Sequence, residues 1–110
     1  MSKFVITTRK NGEFQFNLVI NGNDSVLVSE GYTTKAACLN GVESVKKNSP
    51  EDGRYERKTS SNGKFYFNLK ASNGQVIGTS EMYASETERE NAIQAVKSNA
   101  PSAVVEDTTA

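Results

Sequence analysis

The chain has 110 residues, of which 35 % are hydrophobic and 24 % charged, a balance typical of one soluble globular domain rather than a disordered segment. Thirteen basic residues offset thirteen acidic ones, so the sequence lacks the excess positive charge of most duplex-DNA-binding proteins. The single cysteine excludes an internal disulfide, and the lack of histidine disfavours an enzyme, a cofactor or a metal site.

The octapeptide NGEFQFNL at residues 11–18 returns as NGKFYFNL at residues 62–69, which is 51 positions later. Aligned at that offset, residues 4–50 and 55–101 share 15 identities over 47 positions without a gap. The sequence is therefore a tandem duplication. The predicted bounds within one domain are 4–53 and 54–107 for the two repeats and 108–110 for a flexible tail.

Each repeat opens with an Asn-Gly pair between two alternating segments, which predicts a β-hairpin closed by a two-residue type I′ turn. Alternation directs the phenylalanines of the second strand towards the core and the residues between them to the other face. A second turn, at Asn21-Gly22-Asn23 or Asn73-Gly74, leads to a third strand. The predicted strands are Phe4–Thr8, Phe14–Ile20 and Ser25–Glu30, then Tyr55–Thr59, Phe65–Ala71 and Gln75–Glu81.

The periodicity then changes to that of a helix in both repeats. Thr34 and Ser85 are predicted N-caps, and Ser85 with Glu88 forms a capping box. Asn48 and Asn99 are expected to close the helices in the left-handed conformation, ahead of a proline two residues later. The predicted buried stripes are Ala37, Cys38, Gly41, Val42 and Val45 in the first helix, and Arg89, Ala92, Ile93 and Val96 in the second.

A strand follows each helix, at Arg54–Ser60 and Ala103–Asp107, and the first of these also opens the second repeat. The order is therefore three strands and a helix, twice, plus a closing strand. We predict an α+β fold with one mostly antiparallel sheet, two helices packed on one face, and pseudo-twofold symmetry. The opposite sheet face is expected to be open.

The repeated NGxFxFNL, the SExY at residues 29–32 and 80–83, and the segment ENAIQAVKSNAP at residues 90–101 resemble the YegP-like family of small, uncharacterised bacterial proteins. This resemblance covers essentially the whole chain. It implies β-β-β-α-β units that join into one sheet, with the strand after each helix crossing to the neighbouring unit. It brings no activity and no catalytic motif.

Asn17 and Asn68 occupy the middle of a strand in both repeats, where asparagine is disfavoured. One interpretation is a polar binding patch on the open face. The interpretation that we favour is local hydrogen bonding to a neighbouring loop or strand. The proposed patch comprises Gln15, Asn17, Lys58, Tyr66, Asn68 and Lys70.

Three further pairs recur in both repeats and are predicted to be structural. The two glutamates could in principle act as an acid–base pair, but anchoring of the helix entry is favoured. The tyrosines are expected to pack over the helix start, and the mid-helix asparagines to bond the sheet or a nearby turn. These pairs are Glu30 and Glu81, Tyr32 and Tyr83, and Asn40 and Asn91.

No apolar stretch approaches the length of a membrane span, and MSKFVITTRK at the N-terminus lacks a signal-peptide core. We therefore predict a monomeric, non-enzymatic cytoplasmic module that uses the open face to bind an unidentified protein or small ligand. The alternative is a weak single-stranded nucleic-acid binder that uses the same face with Lys58 and Lys64. An enzyme based on Glu30 and Glu81 is the third hypothesis.

Overall fold

The computed structural model describes residues 2–20 and 24–109, which form a seven-stranded sheet and two α-helices. The strands are β1 (Lys3–Thr8), β2 (Phe14–Ile20), β3 (Asp24–Val28), β4 (Tyr55–Thr59), β5 (Phe65–Lys70), β6 (Val76–Ser80) and β7 (Val104–Asp107). The helices are α1 (Lys35–Asn48) and α2 (Glu86–Asn99), each followed by a short 3₁₀ turn. The turn predicted at Asn21-Gly22-Asn23 lies outside the described residues.

The strand order across the sheet is β4-β5-β6-β3-β2-β1-β7, and only β1 and β7 run parallel. In the central β3–β6 pair, Val28 faces Thr79, and these two positions are equivalent at the 51-residue offset. The pseudo-twofold axis therefore passes between them. Strand β7 follows α2 and pairs with β1 of the first repeat, which is the crossing that the family resemblance implied. The predicted α+β fold is confirmed.

The hairpin loops differ from the prediction in length. Arg9 N–H donates to the Glu13 carbonyl at 2.7 Å, and Gly12 N–H donates to the Arg9 carbonyl at 3.0 Å, which closes a three-residue loop rather than a two-residue type I′ turn. Gly12 has φ of 86°, a left-handed conformation that a residue with a side chain rarely adopts. The loop ending at Gly63 repeats this arrangement, so the glycine of each Asn-Gly pair sets the turn.

Both helices begin as predicted, since the side chains of Thr34 and Ser85 accept hydrogen bonds from backbone N–H groups in the first turn. The prediction of left-handed C-termini was wrong: Asn48 is the last residue of α1, and Asn99 has φ of −106°. Each asparagine instead donates its side-chain amide to the carbonyl four residues earlier, at 2.8 Å. This bond reinforces the last helical turn without a left-handed residue.

A single apolar core lies between the two helices and one face of the sheet. It buries the alternating strand residues together with the predicted helical stripes, of which only Ala37 is half-exposed. The phenylalanines of the repeated octapeptide lie on this side, as predicted, and Phe16 and Phe67 are fully buried. Both helices therefore pack on one face, and no helix among the described residues covers the opposite face.

The outer strands of the two repeats, β1 and β4, differ in whether another strand covers them. Strand β7 covers β1, whereas β4 has no strand on its outer side among the described residues. Along the covered edge Ile6 and Cys38 are fully buried, and their equivalents in the second repeat are Arg57 and Arg89. Arg89 donates to the Lys58 carbonyl of β4 at 3.3 Å. Charged side chains thus protect the open edge from unwanted strand pairing.

Arg57 is the centre of an ion-pair network beside β4. It bonds Glu90 of α2 at 2.9 Å and Asp52 at 3.1 Å, and Lys97 also bonds Asp52 at 2.7 Å. Hydrogen bonds from Lys97 and Arg57 lower the pKa of Asp52 to about 2. On the other edge, Lys35 chiefly lowers the pKa of Asp107 to about 2 as well.

These depressed values predict a loss of stability in acid. A carboxyl group whose pKa is lower in the folded state stabilises the fold above its unfolded pKa, near 3.8, and loses that contribution as the pH falls through about 2. The free energy of unfolding, measured by urea denaturation, should therefore fall from pH 4 to pH 2. Asp52→Asn should make this dependence shallower, and so should added salt, because the group is exposed. An unchanged dependence in Asp52→Asn would contradict the assignment.

Candidate functional site

The predicted binding patch is present on the open face, but its amides bond one another and their neighbours. Gln15 accepts from Arg9 Nε at 2.7 Å and donates to Asn17 Oδ1 at 3.0 Å. Asn17 in turn donates to Ser25 Oγ on β3 at 3.2 Å. This chain of bonds agrees with the local interpretation of Asn17, since each amide already has protein partners.

The second repeat satisfies its asparagine with different partners. Asn68 donates to Glu56 Oε1 on β4 at 3.1 Å and accepts from the Thr79 hydroxyl on β6 at 2.9 Å. Lys70 pairs with the other oxygen of Glu56 at 3.1 Å, and Asn68 and Lys70 together lower the pKa of that carboxyl group. Of the six patch residues, this leaves Tyr66 and the facing Lys58 on β4 without a side-chain bond among the described residues.

At the strand-to-helix junction, the serine of SExY anchors the chain rather than the glutamate. Ser29 Oγ accepts from Phe16 N–H at 2.9 Å and donates to the Glu30 carbonyl at 2.8 Å. Ser80 makes the same two bonds, to Phe67 and Glu81, at the same distances. Both serines are buried. The predicted anchoring role thus belongs to a residue that sequence reasoning did not select.

The structure does not bring Glu30 and Glu81 together. They lie two residues beyond Val28 and Thr79, in opposite directions along an antiparallel pair. Both lie beyond the ends of β3 and β6, where the two chains leave the central pair in opposite directions. This placement gives no support to paired acid–base chemistry.

The mid-helix asparagines correct another expectation. Asn40 and Asn91 are both exposed, and neither side chain forms a hydrogen bond within residues 2–20 and 24–109. The expected bond to the sheet is therefore not made. Of the two tyrosines expected over the helix starts, Tyr32 stacks on Phe16 of β2, with ring centroids 6.3 Å apart and planes 13° apart.

Three of the residues that recur in both repeats, Glu81, Tyr83 and Asn91, lie on a cavity of about 610 Å³. We call it the α2 cleft, because α2 forms one wall and β3 of the first repeat forms the other. Val26 and Ala92 supply its apolar floor, and the exposed Glu81, Glu88 and Asn91 supply a polar rim. The lining residues are Ser25, Val26, Glu81, Tyr83, Glu88, Asn91 and Ala92.

The first difference between the α2 cleft and the equivalent region of the first repeat is the methyl group of Ala92. At the position equivalent to Ala92 stands Gly41, where the Tyr32 ring lies so close that an added Cβ would be 2.8 Å from Tyr32 Cζ. In the second repeat Ala92 carries that Cβ, and the described rings of Phe67 and Tyr83 do not form the corresponding stack. The Tyr83 ring is therefore placed differently from that of Tyr32, although both are half-buried against the core.

Two other substitutions widen the difference. The cleft floor has Val26, whereas the equivalent Ile77 is larger and buried. The rim has Glu88, whereas the first repeat has Ala37. Four of the seven lining positions differ between repeats, and the three that agree are the glutamate, tyrosine and asparagine already recognised from the sequence. The duplication was the signal that could have located the cleft, through its departures from symmetry.

The cleft has a negative electrostatic character. Burial raises the pKa of the Tyr83 hydroxyl, and the charges of Glu81 and then Glu88 raise it further. Glu88 Oε2 accepts from Ala84 N–H at 3.0 Å, which is one residue before the N–H that the predicted capping box would use. Its other oxygen has no bond to the described residues, and Glu81 likewise has no side-chain bond among them.

Comparison with known proteins places this architecture in a family. The sequence profile of the domain of unknown function DUF1508 matches residues 10–56 and again residues 60–107. The chain belongs to this family. The two successive matches agree with the duplication, while the repeat bounds 4–53 and 54–107 and the flexible tail at 108–110 stay predictions.

The relatives of this DUF1508 protein carry family designations without an activity. A UPF0339 protein encoded in the 5′ region of the ptx operon of Stutzerimonas stutzeri is 58 % identical over 102 residues, covering 93 % of this chain and 92 % of the relative. The UPF0339 protein YegP of Escherichia coli K12 is 47 % identical, covering 96 % of both. The resemblance to the YegP-like family is therefore confirmed.

Two solution NMR structures share the fold. The protein of unknown function yegP from Escherichia coli has a TM-score of 0.92 and 46 % identity, covering 97 % of this chain and 92 % of that one. A UPF0339 protein from Shewanella oneidensis has a TM-score of 0.91 and 40 % identity, covering 96 % and 90 %. In the part of the chain described, no helix is long and apolar enough to cross a membrane.

Proposed function

We propose that this protein is a non-enzymatic binding module that holds a small ligand, or a side chain of a partner protein, in the α2 cleft. The observation that carries the proposal is the cavity itself: about 610 Å³ with an apolar floor and a few polar groups at its rim. Ligand sites in proteins commonly have this volume and this distribution of polar groups. The site replaces the open face, whose amides already bond neighbouring side chains.

The proposal retains two expectations from the sequence. Both halves of the sheet are supplied by one chain, which supports a monomer as the binding unit. The soluble composition and the single, free and buried Cys38 support a place in the cytoplasm.

The test is an amide NMR titration with small fragments of each charge, among them pentane-1,5-diol, glutarate and pentane-1,5-diamine. We expect at least one fragment to shift the amides of Tyr83, Asn91 and Ala92. The equivalent amides of Tyr32 and Asn40 should move less, which makes the first repeat an internal control.

A matched pair of variants sharpens this experiment. Ala92→Leu places a larger side chain in the cleft and should abolish the shifts, with the dispersed spectrum as the check on folding. Gln94→Leu adds the same side chain at an exposed position of α2 that does not line the cleft, and binding should persist. Fragments that bind only outside the cleft, or shifts unaffected by Ala92→Leu, would overturn the proposal.

The alternative function, single-stranded nucleic-acid binding, is tested in the same titration with an oligonucleotide as a further probe. Tyr66 with Lys58 offers one stacking ring and one cation on the open face, but Glu56 lies beside Lys70 and pairs with it. Binding of single strands usually combines several stacked bases with a positive groove. Shifts from an oligonucleotide that centre on Tyr66 and fade with salt would favour this second function over the first.

A further inference from the structure

We infer that the ligand of the α2 cleft is a cation, an alkylammonium group carried on a short apolar stem. This inference rests on the proposed function and names the ligand chemistry for the same site. It follows from the charge of the rim, the apolar character of the floor, and the way the rest of the protein uses its acidic residues.

The rim combines two carboxylates with no basic residue. Glu81 and Glu88 line the cleft, and none of the lining residues is Lys or Arg. Arg89, the next residue to Glu88, is directed to the opposite side, where it bonds Glu90 at 3.1 Å and the Lys58 carbonyl at 3.3 Å. The nearest basic residue on α2 thus leaves the cleft charge uncompensated.

Elsewhere in the described residues seven acidic side chains form ion pairs, and Glu13, Glu30 and Glu86 form none. Among the described residues, Asp52, Glu56, Glu90 and Asp107 each contact a Lys or Arg side chain within 3.1 Å, whereas Glu81 and Glu88 form no ion pair. A glutamate in the first turn of a helix has an ordinary explanation, since it complements the helix dipole. Glu88 fits that explanation, but Glu81 lies before the helix and has no such role.

The residues that line the cleft also indicate the chemistry of the ligand's stem and of its charged group. Val26 and Ala92 would cover methylene groups, and Tyr83 adds an aromatic ring to the lining, a group that attracts cations. An ammonium group has three donors and no acceptor, so two carboxylates and the Asn91 amide oxygen would satisfy it. An anion would meet the same carboxylates unfavourably, and a neutral alcohol would gain little from them.

Pentane-1,5-diamine and pentane-1,5-diol test this chemistry, because they have the same chain length and differ in charge. At low salt the diamine should shift the amides of Tyr83, Asn91 and Ala92, and the diol should bind at least five-fold more weakly. Glu81→Gln and Glu88→Gln should each weaken the diamine about two- to five-fold, as expected for loss of one exposed ion pair. Both positions are exposed, and glutamine keeps the shape of the side chain.

The outcomes separate this inference from the proposed function. If the diol or glutarate binds in the cleft as well as the diamine does, the cleft is a binding site and the cationic assignment is wrong. If no fragment binds there, both fail. Equal diamine shifts around Glu30 and Glu81 would indicate unspecific attraction to acid and would also overturn the inference.

A second probe identifies the source of the alkylammonium group. Nα-acetyl-L-lysine methylamide presents it as a protein side chain would, and the diamine presents it as a free polyamine would. Tighter binding of the lysine derivative assigns the cleft to a partner protein, and tighter binding of the diamine assigns it to a small amine. Either result supports the shared chemistry, whereas failure of both contradicts it.

Discussion

Replacing Gly78 with alanine should destabilise the protein by about 1–3 kcal/mol, although a buried glycine in a strand is ordinarily a weak point. Gly78 lies in β6, and a Cβ built there would be 2.7 Å from Leu27 Cγ and 2.8 Å from Leu27 Cδ2. Leu27 is fully buried, and Cγ is its branch point, so the side chain cannot simply swing aside. Overlap should outweigh the gain in backbone rigidity.

The physical reason is the symmetry of the molecule. Leu27 and Gly78 are equivalent positions of the two repeats, and both lie next to the Val28–Thr79 pair through which the pseudo-twofold axis passes. Side chains beside a twofold axis approach their own symmetry mates, and here the space holds one leucine. The repeats have therefore diverged at this position, with one large residue and one without a side chain.

A double-mutant cycle with Leu27→Ala tests this explanation by urea denaturation. Leu27→Ala alone should cost about 2–5 kcal/mol. In the double variant the methyl group of position 78 gains room, so the combined loss should be smaller than the sum of the single losses. Gly53→Ala is the control, because a Cβ there meets nothing within 4 Å and should change stability by less than about 0.5 kcal/mol. Strict additivity would contradict a shared space.

Much of the fold, by contrast, could be predicted from the sequence. The strands, both helices and the buried stripes follow from periodicity, because a side-chain period of 2 or 3.6 is a local property. The single sheet followed from the need to bury two helical stripes on one apolar face. The closing strand β7 was placed in the chain by the sequence, and its crossing to β1 came from the family resemblance.

The predictions of hairpin-loop length and of the helix C-termini were wrong because both features depend on particular hydrogen bonds, which residue type alone does not specify. An Asn-Gly pair is compatible with two loop lengths, and only the Arg9–Glu13 pairing decides between them. Asn48 was expected to change the backbone conformation, whereas its side chain reaches the Ser44 carbonyl instead. Asparagine favours both kinds of local arrangement, so propensity alone could not separate them.

The α2 cleft lay beyond sequence reasoning for a different reason. Its walls come from β3 and α2, which meet only because β3 pairs with β6 across the axis. Aligning the two repeats identifies the residues that they share. The cleft depends on positions where the repeats differ, as at Ala92 and Gly41. In a duplicated protein, positions that are identical in both repeats indicate the fold. Positions that differ between the repeats are the better guide to a site present in only one of them.

Ser29→Ala and Ser80→Ala should each lower the free energy of unfolding by about 1–3 kcal/mol, because each change leaves a buried backbone N–H without its acceptor. Ser29 is 3 % exposed and Ser80 is 7 % exposed, so water has little access to replace the hydroxyl. The loss is of that size because the same hydroxyl also donates to the following carbonyl and thereby fixes the departure of the chain from the sheet.

Amide hydrogen exchange gives this prediction a residue-specific readout. In Ser29→Ala the exchange of Phe16 N–H should accelerate more than that of Phe67 N–H, and in Ser80→Ala the order should reverse, since each hydroxyl serves its own repeat. Ser98→Ala, at an exposed position of α2, should change stability by less than about 0.5 kcal/mol. If Ser29→Ala weakens protection equally in both repeats, the hydroxyl does not act locally, and the serine of SExY is not the anchor of its own strand-to-helix junction.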